Sequence, residues 1–366
     1  MKISFSICAF LVLAAVLSGC AAVGRQSRQP RASEGEQPGI PQDLAELITY
    51  AGLAPSSHNT QPWKIKILSD SEFIVQADPS RRLPEVDPEG RELLLSLGAF
   101  WENLEQAVAA FGFNAQVNIL AASPKETDIL RVKLIKKESS SIDIALDMMR
   151  KRVTDRRPYK KADLSPDDLE EFKALLPDHF FYFPKAGKEG KWIAESLVEA
   201  NKKQAFNDAK QNELAQWLRF SSSEAKAKGD GLTAEALGLS TIEGFFWHTF
   251  MGKESALSPS FRETGVRNVV KQVNNCSGFV VITSENSGVA ALLMAGRELQ
   301  RFELKATELK VAFHPMSQLM EESPWKEQLQ DKLGLKKPVQ FIVRVGYAKE
   351  QLQPGIRRDI KGFVEK

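Results

Sequence analysis

The chain repeats itself. Asp43-Leu44-Ala45-Glu46-Leu47 returns as Asp168-Leu169-Glu170-Glu171-Phe172, and the second copy opens with Ser165, suited to cap a helix, and Pro166, suited to its first turn. Further on, Leu97, Trp101, Leu104, Val108 and Phe111 stand at helical spacing, with a counterpart in Leu292, Ala295, Leu299, Phe302, Ala306 and Leu309. Each stripe predicts a long helix whose apolar side packs in a core or against the other half. Strands follow both helices: Val132 and Leu134 in the first copy, and in the second Val339, Phe341, Val343 and Val345 alternating with Gln340, Ile342 and Arg344. At 366 residues and 43% hydrophobic, the chain is long enough to bury two such units.

The copies differ where polar residues cluster. In the first, Leu44, Leu47, Ile48 and Ala51 mark one face of a helix, which Pro55 is expected to stop. Trp63, Ile65 and Ile67 alternate with Lys64 and Lys66 as a half-buried strand. Between them runs Pro55-Ser56-Ser57-His58-Asn59-Thr60-Gln61-Pro62. Short hydroxyl and amide side chains beside exposed backbone N–H groups suit a planar polar heterocycle, and they equally suit a tight turn. In the second copy, Leu175-Leu176-Pro177-Asp178-His179-Phe180 takes that place. Conversely, only the second copy is preceded by Met149-Arg150-Lys151-Arg152-Val153-Thr154-Asp155-Arg156-Arg157-Pro158-Tyr159. Forked Arg donors plus a hydroxyl are what a phosphomonoester needs, although such a cluster also serves as a solvated surface.

Leu53 to Trp63 resembles the helix-to-strand loop of the nitroreductase superfamily, whose members are FMN enzymes. Asp78-Pro79-Ser80-Arg81-Arg82-Leu83-Pro84 with Asp87-Pro88-Glu89-Gly90-Arg91 is similar to a stretch of the Acg type, in which two such domains share one polypeptide. The resemblance implies an α+β fold of two fused halves forming a pseudo-dimer, residues 43–145 and 146–366, each a mixed, mainly antiparallel sheet surrounded by helices. Single-domain relatives bind flavin at a dimer interface, so the fused chain is expected to act as a monomer with one FMN site. Pro55, Ser56, Ser57 and Asn59 would come from the first half, and Arg152, Thr154, Arg156 and Arg357 or Arg358 from the second. Pro315, Met316 and Ser317, in His314-Pro315-Met316-Ser317-Gln318, fall where the family places donors near flavin N5. Val153 stands where many relatives carry a polar residue, leaving only its N–H. The implied reaction is hydride transfer from NAD(P)H, or another electron donor, through FMN to a nitroaromatic or quinone acceptor; flavin sequestration without turnover is the alternative. Residues 204–267, with Trp217 and Phe245-Phe246-Trp247-His248-Thr249-Phe250, have no counterpart in the first half. They read as a lid over the flavin or as cover for the core.

The N-terminus predicts export. Lys2 precedes an apolar run, Ile3 to Leu17, and Leu17-Ser18-Gly19-Cys20 matches the lipobox of bacterial lipoproteins. Residues 1–20 are expected to be a signal peptide, with Cys20 lipidated and the folded part held at the membrane on the periplasmic side. Residues 21–42 carry one large aliphatic past Val23, Ile40, and read as a tether. NAD(P)H is scarce outside the cytoplasm, which leaves the donor open. Cys276 is the cysteine remaining and reads as packing beside the apolar strand Phe279–Thr283. A net charge of +2, with Lys and Arg spread among nearly as many acids, argues against nucleic acid. His58 and His248 have no partner at metal-ligand spacing and no framed nucleophile, so no metal is expected. Neither a Walker loop nor a Gly-x-Gly-x-x-Gly fingerprint occurs.

Overall fold

The computed structural model describes residues 40–137 and 144–365. Cys20, the leader and the tether up to residue 39 lie outside the described residues. Helix α1 (Gln42–Ala51) ends with the Gly52 N–H on Ile48 O, so the helix stops ahead of Pro55. Strands β1 (Trp63–Ser69) and β2 (Glu72–Ala77) form a hairpin, and α2 (Arg91–Ala110) crosses behind it before β3 (Phe113–Ile119) and β4 (Asp128–Lys136) complete the sheet. Helix α3 (Ile144–Lys151) packs its Leu146 and Met149 into the first core.

In the second half, α4 (Pro166–Leu175) has its N-terminus capped by Ser165 Oγ, followed by β5 (Phe180–Pro184) and α5 (Lys188–Ala205). A helical excursion follows, with α6 (Asp208–Trp217), α7 (Ser222–Lys228), α8 (Thr241–Phe250) and α9 (Lys253–Ala256). The half closes with α10 (Pro259–Asn274), β6 (Gly278–Thr283), α11 (Val289–Glu308), β7 (Val311–Pro315), α12 (Gln318–Glu321), α13 (Trp325–Leu333) and β8 (Val339–Tyr347). Strand β9 (Val364–Glu365) then returns to pair in parallel with β1. The first sheet runs β3-β4-β2-β1-β9 and the second β5-β6-β8-β7. Among the described residues, every pairing between these strands is antiparallel except that of β1 with β9. The expected α+β fold, mixed and mainly antiparallel, is what forms.

Burial goes further than the sequence stripes suggested. Helix α2 is buried almost all round from Glu92 to Leu104, because it lies between the first sheet and α11. Strand β8 does not separate inside from outside: Val343 and Val345 face one core and Val339 and Ile342 another, since the second sheet is covered on both faces.

The two long helices meet at paired glycines. A Cβ built on Gly98 would lie 2.1 Å from Leu293 O, and one on Gly296 would lie 2.1 Å from Leu95 O. Each glycine thus touches the residue three positions before the other, which is a local twofold. Beyond the crossing, Asn103 Oδ1 accepts from Gln300 Nε2 at 2.5 Å, and Glu102, 1% exposed, takes Arg297 Nε at 2.9 Å and Arg301 Nε at 3.0 Å. Residues C-terminal to one glycine therefore pair with residues C-terminal to the other, so the helices run in the same sense. This seam holds the halves in register and so fixes the site between them.

Candidate functional site

The polar loop of the first half is a tight, left-handed structure. Ser57–Asn59 form one turn of 3-10 helix, and His58, Asn59 and Gln61 have φ of 50°, 54° and 52°. Non-glycine residues there cost about 1 kcal/mol or more each and persist where contacts over-determine them. The Gln61 N–H donates to Ser56 Oγ at 2.8 Å, the Asn59 N–H to Ser56 O at 2.9 Å. Asn59 Nδ2 donates to Gly231 O at 3.0 Å while its Oδ1 accepts from Arg357 Nη1 at 3.0 Å. Gln61 reaches Gly229 O at 2.8 Å. Asn59 and Gln61 thus shape the loop and tie it to the helical excursion.

The Asp78–Arg91 stretch completes that tie. Asp78 caps a short 3-10 turn, aiming Arg81 Nη1 at Thr60 O (2.7 Å) and Asp230 Oδ2 (2.8 Å). Asp230 also takes Arg219 Nη2 at 2.6 Å and is 4% exposed. Asp87 accepts from the Leu93 N–H at the start of α2, and burial pushes its carboxyl up to about 6.

From the second half, the chain leaves α3 at Arg152 and runs extended through Thr154 and Arg156. Arg152, 2% exposed, pairs with Glu303 at 3.0 Å. Arg156 Nη1 donates to Ala236 O at 2.8 Å, and burial lowers its guanidinium to about 10. Arg157 faces away, paired with Asp155 at 2.8 Å. The segment is braced by Arg344, which sequence reasoning passed over: fully buried on β8, it donates to Asp155 O and Arg157 O, both at 3.0 Å, and lies 3.9 Å over the Tyr159 ring. A lone Arg inside an apolar strand run was the available signal.

Both segments line two adjoining cavities. The smaller, about 80 Å³, is walled by Asn59, Arg152, Thr154, Arg156 and Arg357; the larger, about 290 Å³, by Ser57, His58, Glu92, Glu321 and the run His314–Gln318. Pro55, Ser56, Thr154, Arg156 and Leu232 belong to both. Together they reach the lower end of the ~300–1,000 Å³ typical of ligand sites. Pro55, Ser56, Ser57, Asn59, Arg152, Thr154, Arg156, Pro315, Met316, Ser317 and Arg357 are thus brought together. Arg358 is not: its guanidinium donates to Gln61 O and Trp63 O and lies 5.1 Å over the Phe363 ring, holding the C-terminal segment against β1. The excursion forms its own small core around Trp247 and Leu232, and Leu232, Thr233 and Glu235 wall the smaller cavity.

The electrostatics separate the two cavities. Around the smaller one, burial and then the charge of Arg152 push the Arg357 guanidinium well below its ordinary value, the condition of a buried cation among cations. Among the described residues its Nε has no partner. Around the larger, burial and then Arg156 and Arg344 hold His314 well below the usual imidazole range, and burial lowers His58 to about 4, so both rings are neutral at neutral pH. In the second half, at the place related to the polar loop, His179 is held by Glu298 at 2.8 Å and Glu285 at 3.1 Å. No cluster able to hold a metal ion occurs among the described residues, and no described helix is long and apolar enough to cross a membrane. Cys276 is buried with its Sγ 3.4 Å from Val273 O, and burial pushes its thiol up to about 11.

No family model matches the chain. A Mycobacterium tuberculosis protein named as an NAD(P)H nitroreductase is 35% identical over 116 residues, 31% of this chain and 33% of that protein, so the match spans about a third of this relative's length. PigM of a Serratia strain, also named as an NAD(P)H nitroreductase, is 24% identical over 330 residues, covering 87% of this chain and 91% of its own. Among solved structures, a nitroreductase from Anabaena variabilis aligns at 12% identity over 88% of this chain and 94% of its own, with a TM-score of 0.45. One from Desulfitobacterium hafniense with bound FMN aligns at 12% identity over 60% of this chain and 97% of its own, with a TM-score of 0.35. These sequence relatives, one of them aligned over most of the chain, support its resemblance to the nitroreductase superfamily.

Proposed function

We propose that the chain is an FMN-dependent oxidoreductase that uses NAD(P)H or another electron donor to reduce quinones or nitroaromatics. The supporting observation is that the polar loop of one half and the arginine segment of the other wall the same pair of cavities. The residues present fit the cofactor. Buried guanidiniums of Arg152, Arg156 and Arg357, with the Arg357 Nε unpartnered among the described residues, suit an anion, and forked donors beside the Thr154 hydroxyl suit a phosphate. The larger cavity, with neutral His58 and His314 and apolar Pro315, Met316 and Phe341 on its walls, suits a flat heterocycle with polar edges.

Bound FMN would supply two-electron chemistry at its ring. The chain's own work is positional. Ser56, Asn59 and Gln61 fix the loop, Arg344 fixes the phosphate-side segment, and the residues around Gly231–Ala236 exclude water from one side. As part of the same reading, the protein is lipid-anchored through Cys20 with its folded part outside the cytoplasm, and it acts as a monomer.

Anaerobic titration of the purified protein with FMN, followed by NADPH oxidation with and without a benzoquinone, tests the proposal. Tight FMN uptake and acceptor-dependent turnover are expected; protein that takes up no FMN would sink it. Flavin sequestration without turnover is favoured by a specific feature, the latch formed by Asn59, Gln61 and Arg81 on residues 229–231. FMN uptake with no acceptor-dependent rate would select that reading.

A further inference from the structure

The wall of the larger cavity carries a pair of carboxyl groups, Glu92 and Glu321. Glu92, 7% exposed, lies in the first turn of α2, and Glu321 ends α12. Both side chains line this one cavity, and the charge of Glu92 disfavours a second anion at Glu321, so the pair retains a proton. The surroundings decide where that proton sits. Glu92 accepts from Ser57 Oγ and lies 3.1 Å from Arg91 Nη2, so the anion is favoured there. Glu321 accepts from Gln204 Nε2, and among the described residues it has no ion pair. Burial and then the charge of Glu92 push Glu321 well above the usual carboxylate range.

A second feature points to a ligand in the same space. His314, 7% exposed and on this cavity's wall, has an Nδ1 with no partner among the described residues. Gln318 Oε1 on the same wall is also unpartnered. Buried polar atoms are normally satisfied, so these await a polar atom from a bound molecule.

Resting on the oxidoreductase reading above, we propose that Glu321 is the acid that gives a proton to the electron acceptor, with Glu92 holding that proton in the cavity between turnovers. A quinone becomes a hydroquinone by gaining a hydride, the contribution of the reductant, and one proton. The Glu321 O–H bond breaks, the proton bonds to an acceptor oxygen, and the electron pair of that bond stays on the carboxylate. Water then restores the proton to the pair. His58 and His314, neutral and poorly acidic, do not compete for this role.

Glu321→Gln keeps the shape and the hydrogen bond but has no proton to release. In FMN-loaded protein reduced anaerobically with dithionite and mixed with a benzoquinone, reoxidation by this variant should slow by about 10²-fold or more and lose the solvent isotope effect of the wild type. The rate of reduction by NADPH should change far less than the rate of reoxidation, since hydride transfer to the cofactor takes no proton from Glu321. The FMN-free wild-type protein should show an infrared carboxylic-acid C=O band at neutral pH that Glu321→Gln lacks. Reoxidation should fall as pH rises through the Glu321 titration; the charged and titratable groups on the same cavity wall are His58, Glu92, Arg156 and His314, with Arg91 and Asp87 beside Glu92. Glu92→Gln, which removes the neighbouring negative charge, should move that fall to lower pH, and it serves if Glu321→Gln does not fold. Unchanged reoxidation and an unshifted profile overturn the inference alone; wild-type protein that takes up no FMN overturns it together with the functional reading.

Discussion

Gly98→Ala should destabilise the protein even though alanine is the better helix former. In an unobstructed helix the exchange gains about 1 kcal/mol. Here the new methyl would lie 2.1 Å from Leu293 O and 3.0 Å from Gly296 Cα, whereas ordinary C···O contacts begin near about 3.3 Å. Both obstacles are backbone, so no side-chain rotation relieves the clash, and α2 and α11 must part by roughly 1 Å. A buried leucine makes about 40–60 contacts at about 0.1–0.2 kcal/mol each, and a gap of about 0.5–1 Å forfeits a quarter to a half of those crossing it. With about a third of the contacts of Leu95 and Leu293 crossing the seam, those two residues alone lose roughly 0.7–4 kcal/mol. The rest of the seam raises this, and after the propensity gain a net cost of about 1–3 kcal/mol remains, the usual range for overpacking. Gly296→Ala should cost the same by the local twofold. The double variant should cost less than the sum, because the first methyl already parts the helices. Gly265→Ala is the control: it lies within α10, has nothing within 4 Å of its virtual Cβ, and should stabilise by about 0.5–1 kcal/mol. Urea unfolding of the four proteins measures all of this. A Gly98→Ala variant as stable as Gly265→Ala would refute the close crossing.

Arg357→Gln should weaken FMN binding at least about tenfold, a charge-assisted hydrogen bond being worth about 1.5–3 kcal/mol, whereas Arg358→Gln should leave affinity near wild type and lower thermal stability instead; flavin fluorescence titration and melting curves separate the two. Asp230→Asn removes the anion shared by Arg81 and Arg219, and breaking a buried pair costs about 3–5 kcal/mol. Limited proteolysis should then cut within residues 204–267, and FMN should dissociate faster; an unchanged cleavage pattern would count against the latch. His314 is held well below its ordinary value, so below about pH 6.5 the unfolded chain binds a proton that the folded chain does not. Its contribution to stability is therefore present above that pH and lost as pH falls. His314→Gln should reduce the slope of unfolding free energy against pH in that window by up to about 1.4 kcal/mol per pH unit, as measured by urea unfolding across the acid range.

What the sequence disclosed was set by local pattern, and what it withheld depended on distant partners. The helix before the polar loop, the strand after it and the caps of α4 were readable because each rests on residues within one or two turns. The role of Asn59 was not, because its amide is satisfied by Gly231 and Arg357, far along the chain. The asparagine expected at the cofactor site also joins loop, excursion and C-terminal segment. The same holds for Asp78–Arg91, where Arg81 finds its partners in Thr60 and the distant Asp230. Arg357 and Arg358 stand side by side, yet one guanidinium enters the cavity and the other turns to β1, a choice made by the parallel docking of β9 that no periodicity announces. Glu92 did leave a trace. A carboxylate in the first turn suits the helix dipole, but here it precedes Leu93-Leu94-Leu95 in a helix apolar on every side, so solvent cannot hold its charge and a proton, a cation or a ligand must. Only the fold shows that Arg91, Ser57 and Glu321 share that task, and it is this burial, forced by the seam between the duplicated halves, that turns an ordinary N-terminal glutamate into part of a chemical site.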